Sequence, residues 1–158
     1  MQKDLFVIIP VYNEEKNIGY VLDNLLKNEL FNKDQILVVD NASTDKTKEV
    51  INFYGVHYSY EKYKGYGAAC KNGVEYIRAL PIPPLYIIFM DGDGSDNPQD
   101  IPLLFKNLKE KNLNLIIGAR KGDKVEKNSL SHIQIFGNTL ICRLILFFFI
   151  KNLMISAR

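Results

Sequence analysis

Four short, nearly unbroken apolar runs recur along the chain: LFVIIP (5–10), QILVVD (35–40), YIIFMD (86–91, preceded by Leu85) and NLIIGAR (114–120). Strands covered on both faces of a parallel sheet have this pattern. Between the runs lie stretches with apolar residues at helical spacing. Segment 14–28 places Ile18, Val21, Leu22, Leu25 and Leu26 on one face, with Asn13 as its expected N-cap. Ser43 or Thr44 is placed to cap a second helix over 45–53, HYSY (57–60) predicts a weaker strand, and residues 67–79 predict a third helix. The PIPP at 81–84 must break whatever precedes it. A fourth helix follows over Asp100–Lys111, with Leu103, Leu104, Phe105 and Leu108 as its apolar positions. The order βαβαβαβαβ predicts an α/β fold with a mostly parallel central sheet covered on both sides. Ligands of such sheets bind outside the carboxyl ends of the strands, so the chemistry is sought there.

Composition narrows the class. A chain of 158 residues, 47% hydrophobic and 24% charged, is expected to be one folded domain and not a disordered or fibrous one. Cys70 and Cys142 form no CxxC pair, which argues against a disulfide scaffold or a thiolate zinc site. The N-terminus runs directly into a strand, so no secretory leader is expected and the cytoplasm is the default. A net charge of +2 argues against a dedicated nucleic-acid binder. The distribution is more informative: residues 1–105 carry 10 Lys/Arg and 15 Asp/Glu, whereas residues 106–158 carry 10 Lys/Arg and 3 Asp/Glu. An acidic first part suits a metal or polyol hydroxyls. A basic second part suits phosphate or an anionic membrane surface, or is simply a set of solvated lysines.

At the first strand end, Pro10-Val11-Tyr12-Asn13-Glu14-Glu15 has no glycine and two carboxylates, which repel a phosphate at a helix start. Tyr12 offers a stacking face, and Asn13 and Glu14 offer polar edges for a base or ribose; plain helix capping explains the same residues. At the second, Asp40 is placed to accept from a base N–H or a ribose hydroxyl, Asn41 and Ala42 make the turn, and Ser43–Asp45 read as a cap. The third is the strongest signal. Asp91-Gly92-Asp93-Gly94-Ser95-Asp96 sets two carboxylates two residues apart at the mouth of a buried strand, hard ligands for Mg²⁺ or Mn²⁺ bridging to phosphates. An EF-hand is excluded, because its glycine position is Asp96 and its bidentate Glu position is Pro102. Gly65-Tyr66-Gly67-Ala68-Ala69-Cys70 only approximates a dinucleotide fingerprint, and Lys62 and Lys64 before it lie within reach of a phosphate. His57 and His132 have no motif partners and read as structural or exposed.

VIIPVYNEEKNI, VVDNASTDKT, YKGYGAACKNG, FMDGDGSDNPQDI and IIGARKG follow one another in the order and spacing of family-2 glycosyltransferases. The chain resembles that family, above all its polyprenyl-phosphate branch of dolichyl-phosphate mannosyltransferase-like enzymes. The resemblance implies a GT-A fold, a three-layer α/β/α sandwich. It also implies that Pro10, Tyr12, Asn13, Glu14, Asp40, Lys64 and Asp91 bind the nucleotide and that Asp91 and Asp93 are a DxD motif holding Mg²⁺ or Mn²⁺. Asp93 and Arg120 become catalytic candidates, with Arg120 facing phosphate, and Gln134 and Asn138 fall on the acceptor side. Residues 1–120 would form the nucleotide-sugar part and 121–158 the start of an acceptor- or membrane-facing part. Three departures stand out: Asp40-Asn41 replaces an Asp-Asp pair, Ser95 replaces a metal-contacting Gln, and relatives continue beyond the equivalent of Arg158, so a truncated domain is expected.

The function so implied is inverting, metal-dependent transfer of a sugar from a UDP- or GDP-linked donor to a polyprenyl phosphate at the inner membrane face. A lipid phosphate is already anionic and needs no general base, whereas a saccharide hydroxyl, the alternative acceptor, does. A remnant that binds nucleotide and metal without catalysis is the third reading. The apolar segment 139–150 is too short to span a membrane, where ~20 residues are needed. It either lies in the membrane interface or packs on further protein, a homodimer included.

Overall fold

The structure, a computed structural model, describes residues 4–27 and 31–118. Four strands form one sheet: β1 (Leu5–Val11), β2 (Ile36–Asp40), β3 (His57–Tyr60) and β4 (Tyr86–Phe89). Their spatial order is β3-β2-β1-β4 and every pairing is parallel. β1 is central, with Val11 opposite Asp40 on one side and Ile8 opposite Phe89 on the other. All seven of its residues are buried, as are all five of β2. Parallel strands joined by helices need both faces covered, and the helices α1 (Ile18–Leu26), α2 (Thr47–Tyr54), α3 (Tyr66–Arg78) and α4 (Ile101–Glu110) provide the cover.

Alternation along the strands divides the core in two. Leu5, Val7, Ile9 and Val11 join Ile36 and Val38 against Ile18, Val21, Leu22 and Leu25 of α1, Ile51 of α2, and Ile101 and Phe105 of α4. Phe6, Ile8, Leu37 and Val39 point the other way, against Ala69 and Ile77 of α3. A Cβ on Gly73 would stand 2.6 Å from Cγ2 of Ile8, so a glycine lets α3 lie close on the sheet. The result is the expected α/β/α arrangement in one compact unit that ends at Ile116.

Several expectations are corrected. α1 starts at Ile18 and not at residue 14: Asn13 lies outside the helix with φ of 57°, and the N-cap is Asn17. α2 starts at Thr47, and it is the Asp45 carboxylate that receives the Thr47 N–H, so neither Ser43 nor Thr44 caps it. Among the described residues β4 is covered on one face only. Tyr86 and Ile88 pack against the α1/α4 side, whereas Ile87 and Phe89 are exposed, because α3 lies over β1, β2 and β3. Residues 114–118 of the expected fifth strand form none among the described residues, and Leu115 and Ile117 are exposed. An apolar run becomes a strand only where a neighbouring edge supplies its hydrogen bonds, and 114–118 pair with no described strand. No helix among the described residues is long and apolar enough to cross a membrane.

Candidate functional site

The chain builds its sheet outward from β1 through β2 to β3 and then returns to the other side of β1 with β4. The direction of winding therefore reverses between β1 and β4, and a crevice opens at the carboxyl ends of two such strands. A cleft of about 180 Å³ lies there. It is lined by Pro10, Val11, Tyr12 and Glu14 at the end of β1, by Asp91, Gly92 and Asp93 after β4, and by Tyr66 at the start of α3. A second hollow, of about 200 Å³ beside Tyr20 and Asn24, takes in 94–99 of the same loop. Its one carboxylate, Asp96, is committed to a backbone group of the loop itself.

The acidic loop is held from within. Met90 N–H still donates to Ile8 of β1, and Asp91 N–H then donates to Asp96 Oδ2 at 3.0 Å. Ser95 N–H donates to Asp93 Oδ1 at 2.8 Å, and Gly94 takes φ of 81°, a value that favours glycine. A Cβ on Gly92 would lie 2.4 Å from Cγ1 of Val11, so only a glycine lets the loop backbone rest on β1. Asp91 and Asp93 are thus fixed on the cleft wall. Two carboxylates suit a hard divalent ion that keeps water or phosphate in its other positions. No group of three His, Cys, Asp or Glu able to hold an ion is found among the described residues, so an ion here would complete its shell from solvent or ligand. The donor set fits Mg²⁺ or Mn²⁺ on those terms.

The opposite wall is built differently. The turns after β1 and β2 are lashed together by residues some thirty positions apart. Asn13 N–H donates to Ser43 Oγ, Thr44 N–H to Asn13 Oδ1, and Glu14 N–H to Thr47 Oγ1, each at 2.8–2.9 Å. Glu15 N–H donates to Asp45, and Lys46 N–H donates back to Glu15. Asn13 at φ of 57° and Ala42 at φ of 61° adopt the left-handed backbone that non-glycine residues rarely take. Burial raises the Asp45 carboxyl, but hydrogen bonds from the Thr47 hydroxyl and N–H and from Glu15 N–H outweigh it and hold the group below its ordinary range.

Of the nucleotide candidates, Pro10, Tyr12, Glu14 and Asp91 line the cleft together with Asp93, and Asn13 serves the lash beside them. Asp40 is 2% exposed and does not line the cleft. Its oxygens accept from Ser43 N–H at 2.9 Å and from the Tyr58 hydroxyl at 3.1 Å. Burial and the neighbouring Asp40 charge push Tyr58 up to about 12. Lys64 reaches the cleft rim through Tyr12: its Nζ donates to the Tyr12 hydroxyl at 2.7 Å and lies 4.4 Å from the ring centroid. Arg120, Gln134, Asn138 and the segment 139–150 lie outside the described residues.

Sequence reasoning missed Tyr66, Val11 and Gly92 as cleft-lining residues. Burial, the Cys70 thiol and the Asp91 charge all raise Tyr66, so it is a neutral phenol at physiological pH. Its signal was present: an aromatic residue that opens a helix straight after a glycine at a strand-end loop. Gly65 has φ of 142°, which only glycine takes readily, whereas the Gly67 side is open and no positive φ is needed there.

The model of glycosyl transferase family 2 matches residues 6–156. The chain belongs to this family. Among its relatives, an uncharacterized protein of Methanocaldococcus jannaschii is 35% identical over 136 residues, which cover 85% of this chain and 54% of that protein. A dolichyl-phosphate β-glucosyltransferase of Trichomonas vaginalis is 29% identical over 157 residues, covering 87% of this chain and 47% of that enzyme. The chain spans about half the length of these family members. The crystal structure of glucosyl-3-phosphoglycerate synthase from Mycobacterium tuberculosis with Mn²⁺, uridine diphosphate and phosphoglyceric acid matches 66% of this chain and 38% of that one. Its TM-score is 0.55 at 23% identity, which shows a shared GT-A-like fold.

Proposed function

We propose that this chain binds a nucleoside-diphosphate sugar in the β1/β4 cleft with a divalent ion and passes the sugar to a polyprenyl phosphate. The observation that carries the reading is the placing of Asp91 and Asp93 on the same cleft as Tyr12 and Glu14, at the point where the sheet reverses direction. Tyr12 and Glu14 hold base and ribose, Tyr12 by stacking and Glu14 by accepting from hydroxyls. Asp91 and Asp93 hold Mg²⁺ or Mn²⁺, which when bound offsets the negative charge of the leaving diphosphate. Lys64 adds positive charge at the rim, and Asp40 acts indirectly by bracing the turn that carries Ser43. The cleft is smaller than the ~300–1,000 Å³ of a drug-sized ligand's pocket, so these residues grip one part of such a donor.

Two considerations favour the lipid-phosphate acceptor over a saccharide hydroxyl. The Trichomonas vaginalis relative is a dolichyl-phosphate glucosyltransferase, and a phosphate oxygen attacks without prior deprotonation. The test supplies radiolabelled UDP-glucose or GDP-mannose with Mn²⁺ and either a polyprenyl phosphate in detergent or a free saccharide. Label extracted with the lipid is the expected result. Label on the saccharide alone would reassign the acceptor, and nucleotide binding without transfer to either would make the chain a binding module.

A further inference from the structure

Asn41 is 6% exposed, and every polar group of its side chain is in use. Nδ2 donates to the carbonyls of Glu61 at 3.2 Å and Tyr63 at 2.7 Å, while Oδ1 accepts from Gly65 N–H at 2.7 Å. One buried amide thus binds three backbone groups of a five-residue segment 20 to 24 positions away. That segment delivers two side chains to the cleft: Lys64 meets the Tyr12 hydroxyl and ring, and Tyr66, one residue on, lines the cleft itself. We propose that Asn41 is a positioning residue of the nucleotide site, acting through residues 61–66 to set Lys64 and Tyr66; this rests on the functional reading above.

The chemistry is specific to an amide. Aspartate has the same shape but no N–H, so at position 41 it would turn an oxygen toward two carbonyl oxygens and add a second buried charge beside Asp40. Within the segment Tyr63 N–H donates to Glu61 Oε1 at 2.8 Å, but Gly65 beyond it sits at φ of 142° and ψ of 134°, a backbone that favours glycine, and its N–H is held by Asn41. From that residue α3 begins, with the Gly65 carbonyl accepting from Ala68 and Ala69 N–H. Fixing Gly65 therefore fixes where Tyr66 stands. The Asn in place of the Asp-Asp pair is, on this account, the group that sets the rim of the cleft.

Asn41→Asp removes both donors. Asn41→Ala removes the amide without adding charge and covers the case in which Asn41→Asp does not fold. Two readouts separate the possibilities. Amide hydrogen exchange at Tyr63–Tyr66 in the free protein reports the anchor, and a loss of protection of about tenfold or more is expected. Calorimetric titration with UDP and GDP in Mn²⁺ reports the site. Each variant should bind about tenfold more weakly, and in a Lys64→Ala background the same change should cost less than about twofold, because the two act as a unit. Unchanged exchange, unchanged affinity in a folded variant, or effects that multiply fully with Lys64→Ala would each overturn the proposal. Parent protein that binds neither nucleotide would refute the functional reading instead, and exchange alone would then decide whether Asn41 anchors the segment.

Discussion

At the end of β2 the carboxylates of Asp40 and Asp45 accept N–H and O–H groups of the protein itself, and Glu15 of the neighbouring turn does the same. At the end of β4 the carboxylates of Asp91 and Asp93 stand on the cleft, while Asp96 and one oxygen of Asp93 accept N–H groups of the loop itself. Both regions are acidic strand-end turns with Asp, Ser and Asn or Thr in close succession. The difference lies in what surrounds them. The β2 turn faces another turn with backbone donors to satisfy: Asp45 and Glu15 join the two pieces of chain, which include two strained residues, and Asp40 braces Ser43 and Tyr58. The β4 turn rests a glycine on β1 and satisfies its own backbone through Asp96 and one oxygen of Asp93, while Asp91 and Asp93 still line the cleft. Acidic side chains at strand ends thus divide into those that brace neighbouring chain and those that line the cleft, according to which backbone donors lie beside them.

Neutralising one acid on each side should separate the two turns. Asp91→Asn or Asp93→Asn should weaken Mn²⁺-dependent nucleotide binding by about 100-fold, read by calorimetry, as loss of a metal ligand or its support does. The same changes should leave the ligand-free stability within about 0.5 kcal/mol of the parent. Gly92→Ala should do both kinds of damage, because its Cβ would drive into Val11. A loss of about 1–3 kcal/mol in urea unfolding is expected, together with weaker metal-dependent binding. Asp45→Ala should cost about 1–3 kcal/mol of stability through the orphaned N–H and hydroxyl partners. Its nucleotide affinity should stay within about twofold of the parent, since its partners are backbone and Thr47 and not the cleft.

The smallest effect concerns pH. The Asp45 carboxyl is held below its ordinary value of 3.8, so the folded state binds its proton less readily than the unfolded state does. Its stabilisation is therefore complete above the unfolded value and is lost as pH falls through the folded one. Urea midpoints of the parent and of Asp45→Ala should differ at pH 7 and converge toward pH 3. A gap that stays constant would contradict the bracing role.

Much of this was legible in the chain because the sheet imposes a simple rule. β1 and β2 are buried on both faces, and unbroken apolar runs such as LFVIIP and ILVVD declare that directly. YIIF declares it too, yet β4 has one face exposed, because a run reports the polarity of its residues and not whether a helix reaches them. The same ambiguity misplaced 114–118. At the site, Asp91 and Asp93 were readable from their position after a strand. The lash was not: Asn13 has the composition of an N-cap, and only its meeting with Ser43 and Thr44 thirty residues on shows its use. Asn41 was hidden for the same reason, since its three partners lie 20 to 24 residues away and read locally as loop.

The claim on which the account turns is that the β1/β4 cleft is a metal-dependent nucleotide site. Thermal unfolding of the chain with UDP or GDP, each with and without Mn²⁺, tests it most directly. A ligand at ~100 times its Kd adds about 2.7 kcal/mol, a shift on the order of 5–10 °C for a chain of this size. One nucleotide should give that shift, only with the ion, and the shift should disappear in Asp91→Asn and Asp93→Asn. A cooperatively unfolding protein whose midpoint no nucleotide moves, or one whose shift survives both substitutions, would contradict it.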